Sequence, residues 1–215
     1  MVEPGDKITA NAIGDAGESV YNAQWWLLFA IMVANKPAEI TARKLNEFLS
    51  KYHWSVNSLP FDVVKDFRCR AVMGVCLREA RTGQYTRIQR AFEYIAGWRT
   101  GGDDPRPWSL EFLEGIPGVG PKTARWFYML VNPEAKVAAL DTHVLKFLKD
   151  QGFRTIPKTT PPAGENYVRL EEIFVNIADT MGMTPAQLDF AVWAAYRNGW
   201  RIVPNKAHRA GPRPR

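Results

Sequence analysis

The stretch LEGIPGVGPKTAR, residues 113–125, packs three glycines and two prolines into the seven residues from Gly115 to Pro121, and a lysine follows at once. It lies between two runs with helical spacing, so the chain must turn sharply there. Pro117 blocks continuation of the first helix. Pro121 suits the first turn of the second, where its missing N–H costs nothing. Glycines allow positive φ and close approach of another backbone. The expectation over 109–131 is therefore helix, tight turn, helix, with free N–H groups and a partial positive charge where the second helix starts. Such an end binds phosphate. The plainer alternative is a corner whose glycines serve geometry alone.

The rest of the chain also reads as helix. VYNAQWWLLFAIMVA (20–34) is a broad apolar helix, and AEITARKLNEFLSKY (38–52) is amphipathic, with Ile40, Leu45, Phe48 and Leu49 on one side. Helical patterns recur at about 61–67, 70–81, 85–98, 109–114, 121–131, 141–150, 166–181 and 185–198. No alternation persists over six residues, and no Asn-Gly or Asp-Gly turn joins two such runs. Breaks fall at RTGGDDPRPW (99–108) and RTIPKTTPPAGEN (154–166).

Composition narrows the class. The chain has 215 residues and 46% hydrophobic residues, enough for one large domain or two small ones sharing a cleft. The longest apolar run, Trp25 to Ala34, suits a buried helix rather than a membrane span. No secretory leader is expected from the N-terminal residues. The net charge of +6 invites a nucleic-acid reading, but Arg201, Lys206, Arg209, Arg213 and Arg215 supply +5 of it. That tail is either a solvated end or a phosphate-binding arm. Cys69 and Cys76, if on one helix, lie about 10 Å apart, too far for a disulfide, so two reduced core thiols are expected. His53, His143 and His208 are scattered, which argues against a metal site built from them.

LEGIPGVGPKTA resembles the helix-hairpin-helix of the endonuclease III and 8-oxoguanine DNA glycosylase superfamily. VAALDTHVLKFL resembles the segment after it, placing Asp141 19 residues after Lys122, and WWLLFAIMVANKPAEITARKLNEFL resembles the family's first core helix and following loop. The likeness covers about residues 20–150, and 165–200 more loosely. It implies an all-α fold of two helical subdomains flanking a DNA-binding cleft. The first subdomain takes 20–132 and ends in the helix-hairpin-helix (109–131). The second combines 1–19 with 133–200, and 201–215 is a basic tail.

The resemblance also implies a chemistry. Breaking the bond between a base and C1′ passes through a transition state with oxocarbenium character, which a fixed carboxylate stabilises. A neutral amine then takes the place of the base, and the Schiff base so formed permits β-elimination. Lys122 matches the nucleophile and Asp141 its electrostatic partner, which makes the chain a bifunctional glycosylase and AP lyase. The alternatives are a phosphate contact for Lys122 and a plain helix N-cap for Asp141. Gly115, Pro117, Gly118, Val119, Gly120 and Thr123 match the hairpin that grips the DNA backbone. Its carbonyls hold a monovalent cation in the family; no other cofactor is implied.

A flipped base needs an aromatic platform and polar groups at its edge. Trp126 lies one turn after Lys122, and Asp189 and Trp193 lie one turn apart in QLDFAVWAAYRNGW; both offsets are similar to those of archaeal 8-oxoguanine glycosylases. Asp189 as an exposed helix-start acid and Trp193 as core remain open. Gln24 is a further edge-reading candidate. Asn35 matches a gap-filling side chain or, equally, a helix C-cap. No cysteine follows Cys76, so the four-cysteine iron–sulfur loop of endonuclease III is not expected, and 8-oxoguanine becomes the leading base. Mismatched uracil or thymine, oxidised or hypermodified pyrimidines, and a non-catalytic DNA-binding module are the alternatives. The expected partner is double-stranded DNA with a damaged base, met by a monomer in the cytoplasm at the nucleoid, or in a nucleus, with no membrane involved.

Overall fold

A helix that is apolar on every side belongs in a core, and Val20–Val33 (α2) is such a helix, with every residue from Ala23 to Met32 buried. Ser19 starts it, its hydroxyl accepting from the Asn22 N–H at 3.1 Å. The computed structural model describes residues 12–34, 36–51, 58–97 and 104–202. Around α2 pack Ala12–Glu18 (α1), Ala38–Ser50 (α3), Pro60–Cys69 (α4), Tyr85–Gly97 (α6) and Pro121–Val131 (α8), with Met73–Glu79 (α5) on α6 and Leu110–Gly115 (α7) on α8. Trp25, Phe29, Phe48, Phe67, Phe92 and Phe127 fill this first core. A second core joins Thr142–Asp150 (α9), Glu165–Thr180 (α10) and Pro185–Arg197 (α11) through Leu145, Phe147, Tyr167, Phe174, Leu188 and Val192. Met129, Ala139 and Ala186 close the seam between them.

The described residues are helix and connection with no strand, and the expected helices fall within a few residues of their observed bounds. Three expectations change. Residues 12–18 form a helix that packs on α2 and α8, with Ala16 in the first core, although 1–19 were assigned to the second subdomain. Cys69 and Cys76 lie on different helices, because the chain turns at Ala71 with φ +55°, and Cys69 is exposed rather than a core thiol. Gln24 does not face a cleft: it is wholly buried, and its Oε1 accepts from the Phe61 N–H at 2.9 Å, satisfying a free donor in the first turn of α4. Among the described residues no helix is long and apolar enough to cross a membrane.

Candidate active site

The turn between α7 and α8 is built from two anchors and an exposed rim. Ile116 and Val119 are buried in the first core, while Gly115, Pro117, Gly118 and Gly120 lie at the surface. Val119 is therefore a plug: its side chain packs inward and its N–H donates to the Ile116 carbonyl at 2.9 Å, so only its carbonyl is left to face outward. Gly118 has φ +84°, the left-handed region, and an added Cβ would stand 2.7 Å from Arg87 Cγ. Gly115 and Gly120 have nothing within 4 Å of a built Cβ. No contact inside the protein demands a glycine at either position, so both leave room for something outside.

Gly120 precedes α8 without a side-chain cap, and Pro121 opens the helix. The Lys122 and Thr123 N–H groups are in the first turn, where a helix has no internal acceptor to offer them. The carbonyls of Gly115, Pro117 and Val119 accept no backbone hydrogen bond among the described residues. Such a set of backbone oxygens on one turn fits a weakly held hard cation. Arg87 fixes the turn from beneath: its Nη1 donates to the Gly118 carbonyl at 3.0 Å and its Nη2 to the Ile31 carbonyl in the last turn of α2 at 2.6 Å. The charge is held in a partly dry place, since burial pulls the Arg87 pKa down.

Beside the turn opens a cavity of ≈ 550 Å³, in the range of small-molecule sites. Phe29 and Lys36 line it from the α2 side, Lys122 and Trp126 from α8, Asp141 and His143 from the start of α9, Asp189 and Trp193 from α11. The two cores thus contribute opposite walls. Asp141 is the N-cap of α9, its Oδ1 accepting from His143 N–H and Val144 N–H at 2.8 Å each. The capping alternative and the cleft-facing role coexist, because one carboxylate oxygen serves the helix and the residue still lines the cavity.

Trp126 packs edge-on against Trp26 and tilted against Phe29, with ring centroids 6.0 and 5.9 Å away, and turns its remaining surface to the cavity. Trp193 is half-buried at the opposite wall, with the Arg197 guanidinium 4.9 Å over its ring, whereas its neighbour Val192 belongs to the second core. Arg197 also reaches across the cavity to Glu39 at 2.6 Å. Asp189 is half-buried; burial first, then the nearby Asp141 charge, raises its pKa well above the ordinary carboxylate value, against the opposing pull of Lys122. The three groups therefore interact. Asn35 lies outside the described residues.

Sequence reasoning missed Lys36 and Arg87. The Lys36 Nζ donates to the Thr82 carbonyl at 2.6 Å, and burial, with Arg87 and Lys44 nearby, lowers its pKa to about 8. Their neighbours give no motif; only the fold brings the α2–α3 and α5–α6 loops together.

Comparison with known proteins bears on the fold. No protein-family model matches the chain. An 8-oxoguanine DNA glycosylase/AP lyase of Thermotoga sp. (strain RQ2) is 36% identical over 87 residues, 40% of this chain and 41% of that protein. The one of Thermotoga petrophila is 34% identical over 87 residues, with the same coverage. The match thus spans about two fifths of these curated relatives. The crystal structure of the Methanocaldococcus jannaschii 8-oxoguanine glycosylase/lyase in complex with a 15mer DNA containing 8-oxoguanine is similar over 90% of this chain and 89% of that one, with a TM-score of 0.65 and 20% identity. That of the Thermotoga maritima 8-oxoguanine DNA glycosylase covers 86% and 85%, with a TM-score of 0.61 and 22% identity.

Proposed function

We propose that this chain, by fold and by its matched segment a member of the helix-hairpin-helix DNA glycosylase superfamily, removes 8-oxoguanine from double-stranded DNA and then cleaves the abasic strand. The observation that carries the reading is that Lys122 and Asp141, from helices of different cores, line one cavity beside an exposed glycine turn. The turn's N–H groups grip a phosphate at the positive end of α8, and its carbonyls suit a monovalent cation that would strengthen that grip. The extruded base enters between Trp126 and Trp193, where stacking holds it. Asp189, whose carboxyl burial and the Asp141 charge push toward the protonated form, lines the same cavity and meets the base edge.

Asp141 stabilises the positive charge that grows at C1′ as the glycosidic bond breaks. The base leaves with the bond's electron pair and takes up a proton. The Lys122 nitrogen lone pair bonds to C1′, the C1′–O4′ bond breaks as a proton passes from nitrogen to O4′, and a protonated Schiff base results. Loss of a C2′ proton then expels the 3′ phosphate by β-elimination. No organic cofactor enters these steps. The protein acts as a monomer at chromosomal DNA, in the cytoplasmic nucleoid or in a nucleus.

The test is a panel of duplexes carrying 8-oxoguanine opposite cytosine, uracil opposite guanine, an oxidised pyrimidine, or no lesion. Released base is read by chromatography and nicking by gel. The reading expects free 8-oxoguanine with nicking at the same site. Release of a different base alone would change the substrate, and release of none would remove the enzyme.

A further inference from the structure

We infer that Arg125, Glu171 and Tyr167 form a buried network that positions the Asp141 carboxylate against the Lys122 amine, an inference that rests on the glycosylase reading above. The connection Ala138–Leu140 leads from the first core into α9 with no strand to pair its backbone among the described residues. Side chains hold it instead. The Ala138 N–H donates to Glu171 Oε1 at 2.8 Å, and the Ala138 carbonyl accepts from the Tyr167 hydroxyl at 2.9 Å. The same hydroxyl accepts from the Leu140 N–H at 3.1 Å, and the Leu140 carbonyl accepts from Thr160 Oγ1 at 2.7 Å. Every backbone polar group of Ala138 and Leu140 is therefore tied to α10 or to the loop before it. The next residue is Asp141.

The other end of the network reaches the helix of Lys122. Arg125 lies three residues along α8, and its Nε donates at 2.7 Å to Glu171 Oε1, the atom that also holds Ala138. Its Nη1 pairs with Glu114 on α7, and its guanidinium sits 4.5 Å over the Tyr167 ring. One carboxylate oxygen thus joins the Lys122 helix to the Asp141 connection. The Arg125 and Glu171 side chains are each only 11% exposed. An ion pair in that setting holds its geometry, and removing one partner strands a charge away from water. The active groups come from two cores, whose seam also holds the apolar cluster of Met129, Ala139 and Ala186 and, across the cavity, the exposed Arg197–Glu39 pair. A polar tie with fixed directions is what sets their separation.

Tyr167→Phe tests this, because it keeps the ring under Arg125 and deletes only the hydroxyl. The rate of borohydride trapping on an abasic duplex should fall about 10-fold or more, since small misplacements of reacting groups are costly. Affinity for a duplex with an unreactive tetrahydrofuran site should stay within about threefold, as expected when ground-state binding is untouched. Ile177→Val, a core change on the same helix, should alter neither. Glu171→Gln, which keeps an oxygen for the Ala138 N–H, should lose less than Glu171→Leu. A folded Tyr167→Phe that traps at the wild-type rate overturns the inference, as does an equal loss in Ile177→Val. If wild-type protein traps on no duplex, the glycosylase reading fails instead. Amide exchange then decides the tie: exchange at Leu140 about 10-fold faster in Tyr167→Phe, with α8 unchanged, supports it, and unchanged exchange overturns it.

Discussion

The three glycines of the α7–α8 turn should respond to alanine in opposite ways. At Gly118, φ is +84° and the new Cβ would meet Arg87 Cγ at 2.7 Å and the Arg87 carbonyl at 3.4 Å. The left-handed backbone alone costs alanine about 1–2 kcal/mol. Moving Arg87 would also disturb its bonds to Gly118 and Ile31, at 3.0 and 2.6 Å. Hydrogen bonds from a charged group contribute about 1.5–3 kcal/mol each, so weakening one brings the total to about 2–4 kcal/mol. Gly115 and Gly120 have no positive φ and meet nothing within 4 Å. Alanine at Gly115 should stabilise by about 0.4–1 kcal/mol, through a less flexible unfolded chain, whereas at Gly120, the N-cap of α8, poorer capping offsets that gain and stability should stay near wild type. Yet under the proposed function a methyl on Gly120 stands where a DNA phosphate comes, so affinity should drop about tenfold, or 1.4 kcal/mol. Urea unfolding reads the first quantity, and fluorescence anisotropy with a tetrahydrofuran duplex reads the second. If Gly120→Ala unfolds as readily as Gly118→Ala, or binds DNA like wild type, the argument that these glycines serve an outside backbone is wrong.

Asp141→Asn keeps an oxygen for the two capped N–H groups, so its stability in urea should stay within about 0.5 kcal/mol of wild type, while Asp141→Ala should lose about 1 kcal/mol. Both should slow base release by about 10²–10³ in single-turnover assays, because the stabilising charge is gone. Asp189 has a folded pKa raised above its unfolded value, so its protonated form favours folding at low pH, and that contribution is lost as pH rises through the folded pKa. Asp189→Asn should therefore raise the melting temperature more at pH 8 than at pH 4, as calorimetry can check. Lys36 is the reverse case: its pKa falls from 10.5 to about 8, so its charge opposes folding below pH 8 and this is relieved as pH climbs toward 10.5. Wild-type stability relative to Lys36→Met should rise between pH 8 and 10.5, measured by urea midpoints.

The helices were legible because their cues are local. The apolar run of α2, the Pro121 start of α8 and the periodicity of α6 each depend on a few neighbouring residues. So was the place of Lys122 and Asp141 on one cavity, since their motifs resemble a known family. What failed was long-range. Gln24 looked like a polar residue in an aromatic run, and nothing nearby says that its amide caps a helix starting 36 residues later. Nothing near Val119 says that its side chain turns inward to plug the first core while its neighbours Gly118 and Gly120 stay at the surface. Short α1 lacks a strong periodic stripe, and only packing on α2 and α8 identifies its partner. Arg125, Glu171 and Tyr167 carry no motif at all: a single Arg and Glu separated by 46 residues become a pair only when the two cores meet.

The central claim is that the Lys122 amine attacks C1′ of a lesion nucleotide. Borohydride trapping tests it most directly. Protein would be mixed with a duplex carrying 8-oxoguanine opposite cytosine and then reduced, with abasic and undamaged duplexes alongside. The account predicts a covalent protein–DNA band on the lesion and abasic duplexes, absent from the undamaged one and lost in Lys122→Gln. A band that persists in Lys122→Gln, or no band on any duplex with folded wild-type protein, would contradict it.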